Sequence, residues 1–431
     1  MFSMCFLHKS YEEKQSYKDD VLQVSLKIIR QKHNELASPS DKNEDIIDIT
    51  VSYDGTWQKR GHTSLYCIAI VADILTVVVI DYEILSKYCP EYTTAKRDLG
   101  EHNVDFSIWY KAHKPESSEN YVGSSNAMDV KAAEIFWTRS IENCSMRYMN
   151  VLSDCDSKTY QHLLELDVYD DGMKISKEKC LNHVAKRLGT GLRNKVKEWR
   201  SKGVTIGGRK EESLKESTTL KLTNFYRKDI KDNVPDVQKM KTAIVSSMIH
   251  TSSTDKAPKH NKGPTGLKSW CFYQRTLTNN KKPNSHSSIK TKLSKQALEK
   301  ILPVYQRLAN NEQTRCVSGK TQNVNERIHS VIWKNCPKET SVFKTRLELA
   351  VISVIGAFNF GCLNNLSAEQ NELNSESVHN ARRRDERHIA QSKSRGTGKC
   401  KRKIILMTLS KSNNNTKIIE KEGETYASVK F

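Results

Sequence analysis

Three short runs rich in β-branched residues follow one another early in the chain: DIIDITVSYDGTW from Asp45, LYCIAIVAD from Leu65 and TVVVIDYEIL from Thr76. Only turn-forming or charged residues separate them, as consecutive antiparallel strands require. Ser125 then stands before Met128, Ala132, Ile135, Phe136 and Ile141, whose three- and four-residue spacing predicts a capped helix. YMNVLSD at 148–154 reads as a buried strand after it, so the order is β-β-β-α-β. The stretch Leu65 to Ile80 is the most apolar in the chain, and Asp73 interrupts it. A membrane span needs about 18 uncharged apolar residues, so no contact with the bilayer is expected.

The flanking segments have a different texture. Residues 1–44 form a polar N-terminal appendage with a modest helical pattern at Val21, Val24, Leu26, Ile28 and Ile29. Residues 45–156 hold the first part of an α/β core, within which 86–122 has no sustained period and reads as an excursion from the sheet. Residues 157–315 are mostly helical in pattern and are broken by a Gly- and Lys-rich stretch at 202–217 and polar stretches at 252–268 and 279–288. Residues 316–362 carry two amphipathic segments, one placing Val324, Ile328, Val331 and Ile332 on a single face, that are expected to close the core. Residues 363–431 are rich in Asn, Ser, Lys and Arg and are expected to be a disordered basic tail.

Charge narrows the partners. The 431 residues include 70 Lys and Arg against 50 Asp and Glu, a net +20, which favours a polyanionic partner, most commonly nucleic acid. The runs RRRDER (382–387) and KCKRK (399–403) fit nuclear import or nonspecific DNA affinity. The first residues, MFSMCFLHKS, do not read as a secretory signal, so the 11 cysteines are expected as reduced thiols.

Three acids stand where this order of elements converges them: Asp54 at the end of the first strand, Asp154 after the fourth and Glu326 on a later helix. Convergent carboxylates suit hard divalent cations such as Mg²⁺ or Mn²⁺. Two such ions can activate an attacking oxygen and stabilise a leaving one during phosphodiester chemistry. Taken singly, each acid is more simply a solvated surface charge.

Four segments give the acids a context: VSYDGTWQKRGHTSLY (51–66), NVLSDCDSKTY (150–160), CLNHVAKRLGTGLRNKV (180–196) and GKTQNVNERIHSVIWKNCPK (319–338). Together they resemble the Mutator-like transposase domain of animal transposon-derived proteins, with weaker likeness over about 48–362. The resemblance implies a ribonuclease H-like mixed sheet interrupted by a largely helical insertion, and an Asp, Asp, Glu triad carried here by Asp54, Asp154 and Glu326. Asp156 is the rival for the second place. The implied activity is metal-dependent cleavage and strand transfer on double-stranded DNA by a nuclear protein that works as a homodimer or higher oligomer. A decayed or domesticated DNA-binding descendant, or a nuclease on the same fold, are the alternatives.

The resemblance also draws attention to the pair Cys180 and His183, which in such proteins lies between the second acid and the glutamate. It is read either as a substrate-positioning element or as a packed cysteine and a hydrogen-bonded histidine. Arg187 and Arg193, with Arg60, His62 and Lys195, are candidates for phosphate contacts. Cys89, His113, His250, His260 and Cys271 are candidate zinc ligands, but the extra cysteines that the resemblance implies near these places appear here as other residues, so any zinc site reads as degraded.

Overall fold

The computed structural model describes residues 4–38, 45–58, 63–153, 157–169, 172–261, 263–267, 269–286, 291–311, 316, 318–338, 342–362, 364 and 375–394. Asp154, Asp156, Arg60, His62 and the KCKRK run lie outside these residues.

The β-branched runs form the three strands that the pattern predicts: β1 (Ile47–Trp57), β2 (Tyr66–Asp73) and β3 (Val79–Ser86). β1 pairs antiparallel with β2, and β2 with β3. Every residue of β2 is buried, so its run of Ile, Ala and Val fills both faces of a central strand instead of alternating. β4 (Met146–Leu152) lies parallel to β1 on the other side, and a three-residue β5 (Ser176–Glu178) pairs parallel with β4. The sheet order is therefore β3-β2-β1-β4-β5, a mixed sheet.

The excursion at 86–122 contains two ten-residue helices, α2 (Pro90–Leu99) and α3 (Val104–His113), started by the side chains of Cys89 and Asn103. Helix α4 (Met128–Cys144) follows a 3-10 turn at Ser125–Ala127. The capping side chain there is Ser124, which accepts from the Ala127 amide, while Ser125 donates to the Ser64 carbonyl at 2.9 Å. Tyr53 of β1 sets its ring edge-on against Phe136 and Trp137 of α4, with centroids 6.0 and 5.8 Å away. One sheet face is thus covered by α4.

Neighbouring side chains on a strand point to opposite faces. Ser52, next to Tyr53, donates to Asn325 Oδ1 at 2.6 Å on the other face, where α11 (Asn323–Asn335) lies across β1 and β2. Asp54 has the parity of Ser52 and so looks toward α11.

Between α4 and α11 the chain passes through α5 (Ser157–Leu166) and then a helical body of α6 (Leu181–Ser201), α7 (Glu216–Asp232), α8 (Val237–His250), α9 (Phe272–Thr278) and α10 (Lys295–Asn311). This body has its own core, including Leu188, Leu192, Leu222, Tyr226, Ile230, Ile244, Ile301 and Tyr305.

The chain divides into two compact units. The larger contains the sheet and helices up to α11. The smaller contains α1 (Met4–Leu36), residues Thr76–Val78, nearly all of α12 (Lys344–Phe360) and α13 (Ser375–Ser394). The N-terminal segment expected as an appendage is thus a 33-residue helix that buries Val21, Leu26 and Ile29. α12, expected to close the catalytic core, falls in this unit with α1, where Asn359 donates to Ser25 Oγ at 2.9 Å. The segment expected as a disordered tail contains α13, anchored where Asp385 accepts from the Cys362 amide at 2.8 Å. No helix among the described residues is long and apolar enough to cross a membrane.

Asp229 on α7 is 3% exposed, and its Oδ2 has no hydrogen-bond partner among the described residues. Burial, against a weaker opposing bond from Ser247, pushes its carboxyl up to about 7. A carboxyl that titrates higher folded than unfolded contributes stability below about pH 4 that is lost as pH rises through about 7. Asp229→Asn is therefore expected to match the wild type near pH 4 and to exceed it by roughly 2–4 kcal/mol at pH 8 in urea titrations.

Candidate functional site

Asp54 lies within β1, not at its end, because pairing with β2 continues as far as Trp57–Cys67. Pairing with β4 stops earlier, at Ser52–Leu152. Asp54 therefore sits just past the point where β1 parts from β4, with a side chain 35% exposed. A Cβ at Gly55 would run into the Asp129 carboxylate, which accepts from Tyr53 Oη at 2.8 Å, so a side chain there would have to displace Asp129.

Helix α11 is fastened along β1 by a ladder of polar contacts. Gln322 Nε2 donates to the Tyr53 carbonyl at 2.8 Å. Asn325 bridges Ser52 and the Ile70 carbonyl, the latter at 2.8 Å. His329 Nδ1 stands 3.5 Å from Asp54 Oδ2, and Trp333 Nε1 donates to Thr56 Oγ1 at 2.9 Å. Positions 322, 325, 329 and 333 advance by three or four residues and so share one helix face. Glu326 is one residue beyond Asn325, with a side chain 43% exposed.

The Cys180-x-x-His183 pair serves this helix. Cys180 is buried, and its Sγ accepts from the Gln322 amide at 3.4 Å, just where α11 begins. The Leu181 amide donates to the Lys320 carbonyl at 3.0 Å, and Asn182 donates to Asn323 Oδ1 at 2.6 Å. His183 Nε2 lies 3.2 Å from Glu326 Oε1, and Lys186 Nζ is 3.7 Å from the same oxygen. The first turn of α6 thus aligns the first turn of α11, and both motif residues act on the placement of Glu326.

The structure separates the other candidates. Arg187 and Arg193 lie on the exposed face of α6. Arg193 pairs with Glu216 at 2.5 Å and Lys195 with Glu198 at 2.7 Å, both surface ion pairs that carry little energy. Arg187 is exposed one turn from His183, on the α6 end nearest Glu326.

The donors fit a hard divalent cation. Asp54 and Glu326 offer carboxylate oxygens, and His329, buried beside Asp54, has an Nε2 with no hydrogen-bond partner among the described residues. His329, Asn325 and Gln322 escape a sequence reading because their partners lie some 270 residues upstream. The only signal for them is the QNVNERIH run, which sets all three within four residues of the glutamate.

The candidate zinc ligands also come together. Cys89, Glu91 and His113 meet where α2 starts and α3 ends, with Cys89 Sγ 3.1 Å from His113 Nε2. His250, His260 and Cys271 form a second, wholly buried group. His286, absent from the sequence candidates, contacts His260.

The frame is thus a mixed five-stranded sheet, with Asp54 on β1 and Glu326 on a helix that follows a long helical body. A family model for the Mutator-like transposase matches residues 4–271, and the chain belongs to that family. Its members are generally DNA-cleaving transposases that usually use a divalent metal. The matched range covers Asp54 and the Cys180-His183 pair and ends before Glu326, whose assignment rests on the α11 geometry. Comparison with curated proteins and with solved structures finds no match.

The polar ladder is the fastening of α11, so it is expected to be costly to cut. Asn325→Ala would leave the Ile70 carbonyl and Ser52 hydroxyl buried without their partner and lower stability by roughly 1–3 kcal/mol in chemical denaturation.

Proposed function

We propose that this chain is the catalytic chain of a DNA transposase, cutting double-stranded DNA at element ends and joining the 3′ end to a target on a ribonuclease H-like framework. The observation that carries this reading is the polar ladder that lays α11, the helix bearing Glu326, along β1 with His329 3.5 Å from Asp54. Asp54, Asp154 and Glu326 would hold the metal, with Asp156 the rival for the second place. Two Mg²⁺ or Mn²⁺ ions, when bound there, supply activation of the attacking oxygen and charge stabilisation at the phosphodiester.

The chain's own residues do the positioning. His183 and Lys186 hold the Glu326 carboxylate from the α6 side, while Asn325 and Gln322 fix the helix that carries it. Buried His329 fixes the orientation of Asp54. Lys186, 3.7 Å from Glu326, and exposed Arg187 next to it in the chain supply cationic contacts for DNA phosphates, which are sequence-independent and salt-sensitive.

The net charge of +20 supports DNA as the partner, and the RRRDER run on α13 supports action in the nucleus. Bringing two element ends together requires at least a dimer. A relic that binds DNA without cutting it is the competing reading, and its main support is the loss of paired cysteines. That support weakens because the histidines and cysteines left behind still converge in two groups.

Asp54→Asn and Glu326→Gln are each expected to abolish Mg²⁺- or Mn²⁺-dependent nicking of a labelled duplex bearing the element's terminal repeat. DNA affinity should remain within about threefold of wild type, since positioning contacts to phosphate are untouched. Wild-type nicking by either variant removes that residue from the triad. Binding without nicking by folded wild-type protein returns the relic reading.

A further inference from the structure

The stretch from Thr251 to Lys292 packs around a polar centre. Between Met248 and Leu293, Cys271 is the one fully buried apolar side chain among the described residues. The other buried side chains there are Thr251, Ser253, His260, Ser269, His286 and Thr291, with His250 at the entrance. The described residues of this stretch are therefore held mainly through polar groups.

Three of these groups face one point. Cys271 Sγ lies 3.5 Å from His250 Nε2 and 3.4 Å from His260 Nδ1, and the three atoms are all within 4.8 Å of one another. A zinc ion about 2.3 Å from sulfur and 2.0–2.1 Å from each nitrogen, with tetrahedral angles, sets each sulfur–nitrogen separation at about 3.5–3.6 Å. The observed spacings match that frame. A single thiol proton can satisfy only one of two imidazole nitrogens, so hydrogen bonding explains the triangle less fully than a shared cation.

The surroundings also resemble those of a ligand set. Asp255 Oδ1 accepts from His286 at 2.5 Å through Nδ1 and at 2.9 Å through the backbone amide. The proton on Nδ1 leaves His286 Nε2 to accept from His260 Nε2, 2.7 Å away, which turns a lone pair on His260 Nδ1 toward Cys271. Ser253 Oγ is a second neighbour of His260 Nε2, at 3.4 Å. A carboxylate and a second ring that fix the tautomer of a ligating histidine form the usual outer shell of a metal site. Trp270, Phe272 and Tyr273 pack against the imidazoles, with Tyr273 stacked on His260 at 4.2 Å.

We propose that His250 Nε2, His260 Nδ1 and Cys271 Sγ bind one zinc ion, with water in the fourth position and His286 and Asp255 as outer-shell partners. The ion fastens the 251–292 stretch to the end of α8. Its role is structural and independent of the acids on β1 and α11.

The test is metal content and cobalt spectroscopy on the full chain. Wild-type protein dialysed against a weak chelator should retain one zinc per chain. Its Co²⁺-substituted form should show a thiolate-to-cobalt charge-transfer band and the intense visible bands of four-coordinate cobalt. Cys271→Ser and His250→Asn should lose the tightly held ion, and Cys89→Ser should keep both ion and band. His286→Gln should keep the band but weaken zinc binding roughly 10–100-fold. If Cys271→Ser fails to fold, mapping of thiol alkylation in the wild type replaces it: Cys271 should react only after strong chelation, together with new proteolytic cuts in 251–292. Wild type without retained zinc, a Cys271→Ser protein that keeps the cobalt band, or loss of the band in Cys89→Ser overturns the assignment.

Discussion

The helical body of α6 to α10 leaves the sheet and returns to it at one point, and the candidate site depends on how that point is tied. The Cys180 sulfur and the Leu181 amide on the way out meet the Gln322 amide and the Lys320 carbonyl on the way back, some 140 residues later. Cys316 adds a bond to the Lys179 carbonyl, and Ser318 donates to Glu178 at the end of β5. Closing a loop of that length costs only slightly more entropy than closing a short one, so an inserted body with its own core is tolerated if its ends are held together. Here the clamp that closes the insertion is also the clamp that starts α11. Whatever shifts the insertion at its base shifts Glu326.

The face between α11 and β1 is built mainly from amides, hydroxyls and a histidine. An apolar interface would let the helix slide or rotate by a residue at modest cost. Asn325, held between Ser52 and the Ile70 carbonyl, permits one register, because any other leaves buried polar groups unpaired. A site that needs a carboxylate on a helix to meet one on a strand needs that uniqueness. The opposite face, where Tyr53, Phe136, Trp137 and Tyr148 interlock edge to face, supplies the apolar burial that the polar face does not.

Much of the sheet was legible because β1 to β3 are written in β-branched residues, and α4 and α11 because their apolar positions keep a helical period. β5 was not, since three residues of sequence SKE carry no pattern and pair only because β4 is already in place. Helices α2 and α3 escaped because neither has an apolar stripe: α2 buries no residue and α3 buries only Phe106. In the site, Asp54, Glu326 and the Cys180-His183 pair could be named through resemblance. His329 and Asn325 could not, because what makes them matter is a strand 270 residues away.

The same limit explains why the metal-ligand candidates looked degraded. Counting cysteines looks for a thiol at each expected place, whereas coordination needs only a lone pair at the right distance. His286 and Glu91 meet that need without resembling a cysteine in sequence. The two groups also differ in what surrounds them. Cys89 is already engaged as the cap of α2, accepting from the Tyr92 amide at 3.4 Å, and its neighbour Glu91 is exposed, so hydrogen bonds account for that cluster. Cys271 caps α9 without any side-chain bond to the helix, and its sulfur is turned toward two imidazoles among aromatic rings.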